Sequence, residues 1–122
     1  MRSLFAAFLI AHGLIHAAIW AAPKSKEQKA PFDPGHSWLL GDRRVLALAI
    51  ALVTAALFVS AGVGLWVDVD WWRPVAVAGA CTSLVLIALF FNAWLIVAVL
   101  LDAGLIAVIV WLNWPAQTAL GA

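Results

Sequence analysis

Between Val45 and Val67 the chain carries no charged residue. That run constrains the fold more than any other feature. A helix crossing a bilayer needs about 20 mostly apolar residues, and this run meets that length. Three more apolar runs share the chain with it. The expected spans cover about 3–22, 44–67, 74–91 and 94–114, with one longer connection at 23–43. Pro23 and Lys24 end the first run, Pro74 suits the first turn of the third, and Pro115 stops the fourth. Only Asn92 and Trp94 interrupt the last apolar stretch. A single helix from Pro74 to Trp114, rising about 1.5 Å per residue, would overshoot a hydrocarbon core of about 30 Å. A tight turn at Asn92 and a helical hairpin are therefore expected.

Composition excludes the soluble alternative. Of 122 residues 66% are hydrophobic and 11% charged, with a mean hydropathy of +1.07. Soluble domains are closer to about half apolar, and so few charges cannot cover a globule in water. The expected architecture is all-α: an antiparallel four-helix integral membrane bundle forming a single domain over residues 1–122. A net charge of +1 gives no basic field for nucleic acid. The lone Cys81 has no partner for an internal disulfide or a cysteine metal site.

The tryptophans test this layout, because their half-apolar rings favour the membrane–water boundary. Trp20, Trp38 and Trp94 fall at one set of span ends; Trp66, Trp71, Trp72, Trp111 and Trp114 fall at the other. Five of the seven Lys and Arg residues (Lys24, Lys26, Lys29, Arg43 and Arg44) lie in the first connection or at its junction with the second span. The positive-inside tendency then puts that connection in the cytoplasm and both termini outside. Arg2, an apolar run and small residues near Ala22 resemble a cleaved leader. His12 and His16 inside the run argue for a retained helix instead.

Within the first connection, Pro31-Phe32-Asp33-Pro34-Gly35 reads as a turn cluster. After it, Ser37 is expected to cap a short interfacial helix that Gly41 ends. His36 is a secondary site candidate at the mouth of the bundle, as is Asn92 at the turn between the third and fourth spans.

The main candidates are His12, His16 and Asp102. The two histidines are four residues apart and share one helix face. Asp102 is placed near the middle of the fourth span, between them in depth. An ionisable group at bilayer centre costs about 2.5–3.5 kcal/mol on insertion scales, so all three must turn inward and find partners. Four readings stay open for this trio: a structural hydrogen-bond cluster, a ligand site for a metal, haem or quinone-like headgroup, a proton or ion path, and catalysis. Two histidines at this spacing suit a metal, with Asp102 as a third ligand. Adjacent turns of one helix cannot clamp a haem iron from both sides. Thr54, Ser60, Thr82 and Ser83 are expected to bond back within their own helices. Ala47, Ala51 and Ala55, with Ala76, Gly79 and Ala80, form small-residue stripes for close packing. Gly62 and Gly64 are expected to loosen the end of the second span, and Asp68 to be a solvated charge. No nucleotide-binding, hydrolase or zinc-protease signature occurs.

The segment Ala11-His12-Gly13-Leu14-Ile15-His16 resembles the start of a group of small bacterial four-helix membrane proteins of unknown function. Ser37-Trp38-Leu39-Leu40-Gly41-Asp42, Trp71-Trp72-Arg73-Pro74 and Leu101-Asp102-Ala103-Gly104 extend that resemblance over most of the chain. The architecture is also similar, more loosely, to DoxX-like proteins. That likeness implies an accessory role beside quinone-linked oxidoreductases. The function expected overall is a small binding or accessory protein of the cell membrane, acting through the His/His/Asp site. A structural or assembly subunit and a small oligomeric transporter or proton path are the alternatives. No particular cofactor is indicated. The lipid bilayer is the expected partner, with a homo-oligomer or a larger membrane complex left open.

Overall fold

The computed structural model describes residues 2–21, 36–90 and 95–111. They form α1 (Arg2–Ala21), a two-stranded pairing of β1 (His36–Ser37) with β2 (Gly41–Asp42), α2 (Arg44–Trp66), α3 (Trp72–Leu89) and α4 (Ile96–Ile106). A π-helical segment, Ala107–Trp111, continues α4. The described residues are thus helical apart from one minimal hairpin and short turns. Asn92, the basic residues Lys24, Lys26 and Lys29, the Pro31–Gly35 cluster and residues 112–114 of the expected fourth span lie outside the described residues.

Small residues decide how α1 meets α2. A Cβ at Gly13 would stand 2.8 Å from the Phe58 Cβ and 3.0 Å from the Ala55 carbonyl oxygen. One at Gly62 would stand 2.8 Å from the Ala6 carbonyl oxygen and 2.6 Å from the Ile10 side chain. Both glycines let the two backbones approach closely, which is how helices associate where lipid removes the usual hydrophobic drive. Gly62 therefore tightens the α1–α2 seam; it does not loosen the end of α2, as its sequence context suggests. At Gly64 an added Cβ would meet the Trp71 ring at 2.9 Å, so that glycine makes room for an aromatic side chain.

The end of α2 is held by a Schellman-type closure. The Val69 N–H donates to the Gly64 carbonyl at 2.9 Å and the Asp68 N–H to the Leu65 carbonyl at 3.2 Å. This places Asp68 at φ +62, a left-handed conformation more often taken by glycine. Its carboxylate has a second role: Asp68 Oδ1 lies 2.8 Å from the Arg2 guanidinium, which also donates to the Leu65 carbonyl at 3.1 Å. Asp68 is exposed, but it is ion-paired, and the pair ties the start of α1 to the end of α2.

The core divides along the helix axes. Ala6, Leu9, Phe58, Leu65, Trp72 and Leu105 belong to one buried cluster; Trp20, Ala47, Leu86, Phe90 and Leu95 belong to the other. The small-residue stripes fill the seams: Ala47, Ala51, Ala55, Ala76 and Ala80 are all buried. Thr54 Oγ1 lies 3.0 Å from Thr82 Oγ1 across the α2–α3 seam, and each hydroxyl is also within hydrogen-bond reach of a carbonyl of its own helix.

The outer faces are as apolar as the core. Val45 is 83% exposed and Leu100 68%, in a surface that also includes Leu4, Val53, Val85 and Val97. Water does not tolerate apolar surface on that scale without a partner or a lipid phase. Arg2–Ala21, Arg44–Trp66 and Trp72–Leu89 are each long and apolar enough to cross a membrane; Ile96–Trp111 is a shorter apolar helix among the described residues.

The first connection differs from the interfacial helix expected of it. His36 pairs with Asp42 and Ser37 with Gly41 in antiparallel register. The Ser37 hydroxyl accepts from the Leu39 and Leu40 N–H groups at 3.2 and 3.0 Å and donates to the Leu89 carbonyl. The cap-like serine therefore closes a turn, and Gly41 at φ +77 completes it. Trp38 adds an Nε1–H bond to the Ala88 carbonyl at 2.6 Å. Together these bonds satisfy carbonyls near the C-terminus of α3, where a helix runs out of partners of its own.

Candidate functional site

His12 and His16 lie on the inward face of α1 because the helical period stacks i and i+4. Both are buried, at 5% and 3% exposure, and Asp102 on α4 has no exposed surface. The fourth member is Ser83 of α3, also fully buried. Phe58 of α2 closes the cluster from the remaining side, its ring 4.8 Å from that of His12 and 5.8 Å from that of His16.

These groups form one continuous network. His12 Nε2 lies 2.8 Å from Asp102 Oδ1. Ser83 Oγ bonds Asp102 Oδ2, the other carboxylate oxygen. His16 Nε2 lies 2.6 Å from Ser83 Oγ. His16 Nδ1 lies 2.8 Å from the His12 backbone carbonyl, which can only accept, so this nitrogen is a donor. Asp102 thus touches His12 directly and reaches His16 through a hydroxyl. The rings are held firmly in place: His12 stacks on Phe8 at 5.6 Å between centroids, His16 stacks on Trp20 at 6.0 Å, and the two imidazoles meet edge to face at 4.9 Å.

Ser83 is the residue that sequence reasoning missed. A serine in an apolar helix bonds back to its own turn by default, and that default was expected here. The corrective signal was present, since Ala76, Ala80 and Ser83 follow one another at helical spacing on the stripe that packs inward. A hydroxyl on that stripe is placed to meet a partner from another helix.

Beside the cluster, α1, α3 and α4 enclose a cleft of about 210 Å3. His12 and His16 supply its polar edge, and Trp20, Ile87, Ala98 and Leu101 are among its apolar walls. His36 stands in β1, in the hairpin anchored at the end of α3.

One ligand atom from each of His12, His16 and Asp102 lies within 4.8 Å of the others. Proximity alone does not make them a metal centre. Metal ligation needs free lone pairs converging on one point. Here His12 Nε2 is committed to Asp102, and both His16 nitrogens are committed, to Ser83 and to the His12 carbonyl. His16 has no ring nitrogen left to give, and a cation drawing on it would have to break these bonds to enter.

No family model, curated protein or solved structure matches the chain.

Proposed function

We propose that the chain is a multi-pass membrane protein that binds a small, largely apolar molecule in the cleft against His12 and His16. In this reading the four helices form an antiparallel bundle in the cell membrane, with the first connection cytoplasmic and both termini outside. The observation that carries the reading is an apolar cleft with two buried imidazoles at its edge. An apolar cavity of about 150 Å3 accommodates a benzene ring, so about 210 Å3 is room for one substituted ring. Small-molecule sites combine apolar walls with a few placed polar groups, and a ring bearing carbonyl or hydroxyl groups matches that pattern. A quinone-like headgroup has this chemistry, and its tail would lie along the apolar outer faces. The looser likeness to DoxX-like proteins agrees with that class of ligand.

The test is equilibrium binding of a short-chain benzoquinone to the full chain in lipid nanodiscs. Saturable binding is expected, and Ala98→Trp should weaken it at least tenfold by filling the cleft while leaving helical content unchanged. No saturable binding to the native chain, or equal binding by Ala98→Trp, would reject this site. The buried network would then be read as a lock on helix packing.

A further inference from the structure

The network Asp102–Ser83–His16 has more hydrogen bonds than protons if its groups take their ordinary forms. Ser83 has one hydroxyl proton and stands between two groups that would both accept it: Asp102 Oδ2 and His16 Nε2. His16 Nδ1 is already the N–H that donates to the His12 carbonyl. A neutral His16 therefore has an unprotonated Nε2, and an ionised Asp102 only accepts. One of the two links to Ser83 would then bring two acceptors together without a proton between them.

Two arrangements of zero net charge satisfy every link. In the first, Asp102 is an acid: its Oδ2–H donates to Ser83 Oγ, and the Ser83 O–H donates to His16 Nε2. In the second, Asp102 is a carboxylate: the Ser83 O–H donates to Oδ2, and His16 Nε2–H donates to Ser83 Oγ, making His16 an imidazolium. In both, the His12 Nε2–H donates to Asp102 Oδ1. Both hold the same number of protons and both have zero net charge. They interconvert by breaking the Asp102 O–H and Ser83 O–H bonds and forming a new Ser83 O–H and a His16 N–H.

We propose that Ser83 is a proton-relay residue, and that the Asp102–Ser83–His16 chain stores one proton that moves between carboxyl and imidazole through its hydroxyl. The surroundings favour a neutral cluster. α1 faces it with His12 and His16, α4 with Asp102 and α3 with Ser83, while α2 contributes the Phe58 ring and no charged group among the described residues. An unbalanced charge there would be costly. The relay ends at His16, which borders the cleft, so a proton delivered to that imidazole stands beside whatever the cleft holds. The inference rests on the hydrogen-bond geometry and is independent of benzoquinone binding.

The test counts protons on the full chain in nanodiscs near neutral pH. Infrared spectroscopy reports the carboxylic acid band of Asp102, assigned by its loss in Asp102→Asn. Nitrogen-15 NMR of labelled histidine reports how many N–H groups His16 bears. The expected result is an acid with a singly protonated His16, a carboxylate with a doubly protonated His16, or exchange between them. A carboxylate together with a singly protonated His16 would overturn the proposal, and this count needs no variant of Ser83. In a pH titration the two signals should change together in the native chain, separate in Ser83→Ala and rejoin in Ser83→Thr. Joint titration that persists in a folded Ser83→Ala chain would equally refute the relay.

Discussion

Asp102 has no exposed surface, so its neighbours decide what can replace it. Asparagine fits the network: its amide N–H can donate to Ser83 Oγ and its carbonyl can accept from His12 Nε2, reproducing the bonds of the acid form. Ser83 then donates to His16, and every existing partner is kept; the second amide N–H is the one donor added without an acceptor. Asp102→Asn should therefore cost about 1–3 kcal/mol, the penalty of a single unsatisfied buried donor. Alanine leaves both Ser83 and His12 short of a partner in a buried site. Each unsatisfied group costs about 1–3 kcal/mol, so Asp102→Ala should melt well below both the native chain and Asp102→Asn in the same lipid. Equal losses in the two variants would mean that the carboxylate charge, and not its hydrogen-bonding capacity, holds the site together. The gathering of His12, His16 and Asp102 was legible in the sequence, because ionisable groups deep in an apolar run have to turn toward one another. The part played by Ser83 was legible only from its place on the inward stripe with Ala76 and Ala80, since a hydroxyl can also satisfy itself locally and its residue type gives no sign of whether it does.

At the scale of elements, two glycines separate packing from permissiveness. Gly13 stands at the α1–α2 contact, where an added methyl meets a backbone oxygen and the Cβ of Phe58. Neither neighbour can swing aside as a long side chain would, so Gly13→Ala should cost about 1–3 kcal/mol through overpacking. Gly104 on α4 has nothing within 4 Å of an added Cβ. Gly104→Ala should be neutral or stabilising by up to about 1 kcal/mol, the intrinsic helix preference for alanine. Thermal unfolding of the two variants side by side checks the contrast, and a Gly13→Ala chain as stable as Gly104→Ala would show that α1 and α2 can part without penalty. The bounds of the three long helices were readable to within two residues, since apolar runs with charges or proline at their ends leave little freedom. The hairpin at His36–Asp42 was not. Ser37 and Gly41 look the same in sequence whether they cap a helix or close a turn, and the deciding partner is the Leu89 carbonyl, far along the chain.

For the whole molecule, the question is what covers its apolar outer surface. Cys81 is a built-in probe, because it is the only cysteine and sits exposed on the outer face of α3, well inside Trp72–Leu89. In water an exposed thiol reacts readily through its thiolate. Against acyl chains, neither a thiolate nor a charged reagent can form or arrive. A membrane-impermeant maleimide should therefore leave Cys81 unlabelled in sealed vesicles and in vesicles opened to give it both faces. Labelling should go to completion once sodium dodecyl sulfate strips the lipid. A protected Cys81 in both vesicle preparations fits lipid or a second apolar surface, and dilution into excess lipid separates these, because protection by a self-associated copy should fall with protein density while protection by lipid should not. Rapid labelling in intact vesicles would place this face in water, and the bilayer reading of α3 would then have to be given up, together with the low-dielectric setting that makes a shared proton between Asp102 and His16 favourable.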